Sequence, residues 1–265
     1  MNKMDGILIM RPFNGVFFGV FALFILVLIL VSLWLKKKDI ETRKKVLVCA
    51  SLATLVFFVI YKYNLSIDPD YNALREYMGG FNWWGELPLH LCNVNMIMIP
   101  IAVIMDRREL LAFCFFVGPL GALMALSMPG PEFQNASILL PRMIGYYGTH
   151  FLIVIEGLAI VTFGLYRPRF KDIPRTVLTI LLVSFAVFMI NMIMRWTGIY
   201  DRANYFFSVE TEGNFILEIF HKWLPYPFLY LLPCTIILAV YMAIINLGFL
   251  IGNKIKGNDK IEDRQ

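Results

Sequence analysis

The stretch Glu86-Leu87-Pro88-Leu89-His90-Leu91-Cys92-Asn93-Val94-Asn95 puts an imidazole, a thiol and two amides at the mouth of a long apolar run. A thiol with imidazole help is a nucleophile for acyl transfer, and polar groups at the entry to a bilayer are costly enough that they usually mark a site. Pro88 suits the first turn of a helix and Glu86 complements the positive end of its dipole, so the sequence predicts a helix from Pro88. On a regular helix, at about 100° per residue, Asn93 and Val94 share the His90 side while Cys92 lies about 200° away, near Asn95 and Met96. The base for Cys92 then comes from another helix, and His150 is the natural candidate; with an irregular first turn, His90 competes. A helix start favours thiolate, and Asn93, Asn95 or its backbone N–H groups are candidates to hold an oxyanion. The plainer alternative is that free cysteine packs as a small apolar group, which is the expectation for Cys49, Cys114 and Cys234, and that a membrane histidine bonds a neighbouring helix.

Other polar residues widen the candidate site. Tyr146-Tyr147-Gly148-Thr149 precedes His150 and is placed to line a pocket, with Tyr146 as a substrate contact. Glu156 lies six residues past His150, about 9 Å deeper along a helix; an intramembrane carboxyl orients a histidine, binds a cation, or hydrogen-bonds while protonated. Asn191 and Arg195 share a helix face at i and i+4. Arg195 and Arg142 are candidates for a lipid phosphate, or else snorkel to the interface. His221 reads as an interfacial loop histidine, and Ser127 is the alternative hydroxyl nucleophile.

The elements that must hold these residues are membrane helices. Of 265 residues, 59% are hydrophobic and only 16% charged, against roughly 45–50% and about 25% in soluble domains. Apolar runs of spanning length predict an all-α polytopic transmembrane bundle of seven spans, at about 13–35, 46–64, 88–105, 110–127, 146–165, 176–195 and 226–251. Sixteen of the 24 Lys and Arg fall in segments 36–45, 106–109 and 166–175 and in the tail. The positive-inside rule makes that side cytoplasmic, with the N-terminus outside and the C-terminus inside. The net charge of +5 therefore writes topology and does not point to nucleic acid. None of the four cysteines forms a CxxC pair, so no disulfide framework or metal site is expected. One seven-span domain, 1–251, and a polar cytoplasmic tail, 252–265, complete the expectation.

Leu87-Pro88-Leu89-His90-Leu91-Cys92-Asn93, then Gly148-Thr149-His150, Asn191 with Asn204-Tyr205, and Trp223-Leu224-Pro225-Tyr226 resemble the YwaF-type family of bacterial integral membrane proteins over nearly the whole chain. Arg202-Ala203 stands where a more glycine-like approach to Asn204 is the family pattern. That family is distantly similar to eukaryotic transmembrane protein 164, a cysteine-dependent phospholipid acyltransferase, and is comparable with the androgen-induced-protein-type lipid hydrolases, which pair a threonine with a histidine. The resemblance implies a bacterial cell membrane, membrane lipids as partners, Cys92 as nucleophile and His150 as base. No metal or organic cofactor is called for. The competing function is a non-enzymatic lipid or small-solute binding protein or transporter, in which Glu156, Asn191 and the histidines form a pocket or proton relay. For topology, thiol labelling of cysteines introduced near Lys37 and Lys256 should find both shielded in intact cells; labelling of both from outside would overturn the orientation.

Overall fold

The computed structural model describes residues 8–76 and 79–255. In chain order these form β1 (Ile9–Met10), α1 (Gly15–Leu35), α2 (Ile40–Ile67), α3 (Pro69–Leu74), α4 (Val94–Met105), α5 (Arg108–Ser127), β2 (Ala136–Ser137), α6 (Pro141–Thr162), α7 (Ile173–Trp196), α8 (Phe215–Trp223) and α9 (Leu232–Ile255). β1 and β2 make a two-residue antiparallel ribbon, Ile9 opposite Ser137. Among the described residues six helices, α1, α2, α5, α6, α7 and α9, are long and apolar enough to cross a membrane. The protein is an all-helical, multi-pass membrane protein.

Burial sorts the helices into a centre and a lipid-facing surround. The apolar windows of α5 and α6 are 67% buried, those of α1 and α9 only 11% and 17%. Lipid supplies no hydrophobic drive between helices, so close packing rests on small residues. On α6, a Cβ at Gly145 would fall 1.9 Å from the Tyr61 ring of α2, and one at Gly157 would fall 2.6 Å from Pro119 of α5. On α5, Gly121 lies against the backbone of Cys92, where an added Cβ would sit 3.3 Å from the Cys92 nitrogen.

Polar groups collect at the two ends of the bundle. At one end, Arg43 donates from Nε to the carbonyls of Leu35 (3.1 Å) and Lys38 (3.0 Å), from Nη2 to Lys36 (3.0 Å) and from Nη1 to Phe163 (3.1 Å). It thereby meets carbonyls that the ends of α1 and α6 leave without helical partners. Lys44 pairs with Asp106 at 3.0 Å, and Arg108 makes a two-pronged bond to Asp172 at 2.8 and 2.7 Å. Three of the basic segments therefore meet. At the other end Lys62, buried in α2, bonds Glu86 at 2.6 Å and lies over the rings of Tyr61 and Phe58. Tyr71 donates to the same carboxylate at 2.8 Å, Arg75 joins Glu86 to Glu132, and Arg142 pairs with Asp68 and Asp70, each at 3.2 Å.

Two expectations are corrected. The third apolar segment is not helical from Pro88: residues 87–93 form turns and α4 starts at Val94. Glu86 does not serve a helix N-terminus: the helix starts eight residues later, and the carboxylate bonds Lys62 and Tyr71 instead. α4 alone is about 18 Å long. The helix α9 runs to Ile255, and the rest of the expected tail, residues 256–265, lies outside the described residues.

Burial pushes the Glu86 carboxyl up, but the ammonium of Lys62 and its hydrogen bond, with Arg75 behind them, hold it below the ordinary 4.5. Its contribution is therefore complete above that ordinary value and lost as pH falls through the lowered one. Removing one member of such a pair strands a buried charge: Glu86→Gln should cost about 3–5 kcal/mol in unfolding of the purified protein. The double variant Lys62→Met/Glu86→Leu should recover much of it, and a double variant as weak as the single would show that the ion pair is not what is lost.

Candidate functional site

The turn at 87–93 lies between α5 and α6. Its backbone closes on itself, Val94 N–H bonding the His90 carbonyl at 2.9 Å and Asn95 N–H that of Cys92 at 3.2 Å. Gly121 admits the chain at Cys92, and Gly118 admits the side chain of Asn95. The result presents Cys92 to α6. Its Sγ lies 3.5 Å from Nε2 of His150, with Cys92 8% and His150 7% exposed.

The imidazole is oriented from its far side. Nδ1 of His150 lies 2.7 Å from the carbonyl of Tyr146, one turn earlier on α6. A carbonyl only accepts, so Nδ1 carries the proton and Nε2 of the neutral ring presents its lone pair to the thiol. The Tyr146 ring lies 4.5 Å from the imidazole, stacks on Phe133 at 4.3 Å, and donates its hydroxyl to the Ala125 carbonyl at 2.7 Å. Tyr146 thus fixes the base, and its hydroxyl is already engaged by α5.

Around the sulfur, Asn93 Oδ1 lies 3.6 Å from Sγ and accepts from the thiol. Asn95 faces elsewhere: its Nδ2 bonds the Leu91 carbonyl at 3.1 Å, while its Oδ1 is buried without a partner. His90, half-buried, meets the rings of Tyr205 and Phe207 at 5.4 and 6.1 Å. The irregular turn that allowed His90 to compete has instead directed it to an aromatic loop, and the nitrogen at hydrogen-bond distance from Cys92 is that of His150.

Asn191 and Arg195 belong to that loop. Asn191 donates to the Tyr205 carbonyl (2.9 Å) and Ser208 Oγ (2.8 Å) and accepts from Tyr205 N–H (3.0 Å). Arg195 holds the Ala203 carbonyl and Glu210, both at 2.8 Å. They pin a segment in which Phe206 and Phe207 take φ of 62° and 51°, a region costly for bulky residues. Ala203, fully buried, is the residue through which Arg195 anchors it. Asn191, Arg195 and Arg142, named from the sequence as substrate or phosphate contacts, bond within the protein. Ser127 Oγ bonds its own helix at Leu123, and His221 sits in the helix α8 edge-on to Tyr230. Glu156 lies deeper, bonded to Thr54.

Several residues of this region carried no weight in the sequence. Lys62 is visible there as a charge inside Val59-Ile60-Tyr61-Lys62-Tyr63, and Ser51 and Thr54 as hydroxyls at helical spacing. Among the described residues no cluster of three or more His, Cys, Asp or Glu side chains is arranged to hold a metal.

Fold and site together define a multi-pass membrane protein with a buried cysteine–histidine pair between its two central helices. The TMEM164 family model matches residues 12–246, and the chain belongs to the TMEM164 family. No curated protein and no solved structure matches it.

Proposed function

We propose that this protein is a membrane-embedded enzyme that transfers or hydrolyses the acyl group of a lipid ester, with Cys92 as nucleophile and His150 as base. The observation that carries the reading is the 3.5 Å approach of Cys92 Sγ to His150 Nε2, with Nδ1 fixed on the Tyr146 carbonyl. Sγ attacks the ester carbonyl as its proton passes to Nε2. The backbone N–H groups of Cys92 and Asn93, next to the sulfur in the chain, are the donors proposed for the developing oxyanion. Collapse of the tetrahedral adduct breaks the ester C–O bond, and the departing alkoxide takes the proton from Nε2. This leaves an acyl thioester on Cys92 and a neutral imidazole. A second hydroxyl, or water, then gives its proton to Nε2 and attacks the thioester; collapse breaks the C–S bond, and the departing Cys92 thiolate takes the proton back from Nε2, so the acceptor decides between transfer and hydrolysis. No step calls for a metal or organic cofactor.

The same reading takes α4 with its preceding turns as a seventh crossing, N-terminus outside and C-terminus inside. The pairing of Lys44 with Asp106 and of Arg108 with Asp172 supports it, because it draws the basic segments before α2, between α4 and α5 and after α6 to one end.

Incubation of the protein in nanodiscs with phospholipids carrying labelled acyl chains should yield a hydroxylamine-sensitive adduct on the Cys92 peptide. Cys92→Ala and Cys92→Ser should abolish the adduct, and His150→Ala should slow its formation about 100-fold or more. Unchanged lipid turnover in both Cys92 variants would remove the thiol mechanism and leave the binding or transport reading.

A further inference from the structure

A second polar cluster lies deeper in the bundle, where α2, α4 and α6 meet. Ser51 and Thr54 of α2 and Glu156 of α6 are 0%, 2% and 3% exposed. The Thr54 hydroxyl donates to Glu156 Oε1 at 2.5 Å, and the Ser51 hydroxyl, three residues earlier on α2, donates to the Met96 carbonyl at 3.1 Å. That carbonyl is available because Pro100, four residues on in α4, has no N–H to give it.

The remaining carboxyl oxygen, Oε2 of Glu156, is buried and has no partner. Neither protonation state on its own satisfies it. Ionised, the group is an uncompensated charge in a low-dielectric interior; protonated on Oε2, it presents an O–H with no acceptor. A small cation at Oε2 answers both. We propose that Glu156, Thr54, Ser51 and the Met96 carbonyl form a monovalent cation site, sodium-sized, between α2, α4 and α6.

The donor set fits that class of ion. All four groups offer hard oxygen, as alkali and alkaline-earth ions require. After donating, each hydroxyl still has lone pairs to offer an ion. One carboxylate balances one positive charge, whereas a divalent ion would leave a net charge buried in the bilayer. The close approach of α2 and α6 at Thr54 and Glu156 selects a small ion over a large one. The site is separate from the cysteine–histidine pair but mechanically joined to it: Met96 lies in the first turn of α4, four residues past Cys92, so an ion there ties the entry of α4 to the helix that carries His150.

The test uses the full chain in nanodiscs. Its thermal unfolding is followed in NaCl and in N-methylglucamine chloride at equal ionic strength, beside equilibrium binding of radioactive Na⁺. Na⁺ should raise the unfolding temperature saturably and bind at one site. Thr54→Val should raise the half-saturating concentration roughly tenfold or more. Glu156→Gln should abolish Na⁺ dependence, its neutral amide removing the charge that holds the ion. Cys92→Ala should bind Na⁺ as the unaltered protein does, so the outcome is independent of any acyl-transfer activity. Equal unfolding temperatures in the two salts, with no saturable Na⁺ binding by the unaltered chain, would overturn the proposal and assign Glu156 as a protonated structural acid. Should Glu156→Gln fail to fold, the comparison of salts and the Thr54→Val shift still decide.

Discussion

A carbonyl oxygen accepts and never donates, and the carbonyl of Tyr146 lies 2.7 Å from Nδ1 of His150. That one contact sets the tautomer of the imidazole and therefore what it can do for the thiol on its other side. The aromatic stack of Tyr146 on Phe133 and the bond from its hydroxyl to α5 keep the ring and the helix turn beneath it in place. Gly121, by admitting the backbone of Cys92 against α5, brings the sulfur within reach. A wider residue there would move the nucleophile, and a looser Tyr146 would let the base turn.

The surrounding architecture follows from the membrane's inability to satisfy polar groups. Polar side chains near or within the bundle are directed at other parts of the protein. Arg43 closes helix ends, Lys62 finds Glu86 beside two aromatic faces, and Asn191 holds three atoms of the 205–208 loop. The same logic gives meaning to the exceptions. Glu156 Oε2, Thr149 Oγ1 and Asn95 Oδ1 are among the side-chain atoms buried without partners, and the carboxyl lies beside the Thr54 hydroxyl of a neighbouring helix.

Much of this was legible in the sequence. The long apolar runs and the basic segments can be derived from hydropathy and charge, and His150 stands out as a histidine on another helix; the periodicity that favours it over His90 assumes a helix from Pro88, which the turn at 87–93 does not form. The start of the third apolar segment could not. Pro88 and Glu86 carry local signals for a helix N-terminus, but tertiary contacts overrode them: Glu86 was drawn to Lys62, and the close approach at Gly121 favoured a turn. Asn191 and Arg195 were correctly placed on one face, yet their partners lie in a loop whose path depends on contacts distant in sequence. Lys62 gives no sign of its role in the sequence, because a single charge in a long helix resembles a snorkelling interface residue until Glu86 is seen beside it.

The central claim, that His150 accepts the proton of Cys92, is read most directly from the alkylation rate of each cysteine. Iodoacetamide labelling of the protein in nanodiscs, followed by mass spectrometry, compares Cys92 with Cys114, which is buried in α5. Because thiolate is the attacking species, His150→Ala should slow labelling of Cys92 and leave Cys114 unchanged. A Cys92 rate that is the same with and without the imidazole, in a protein that remains folded, would contradict the account.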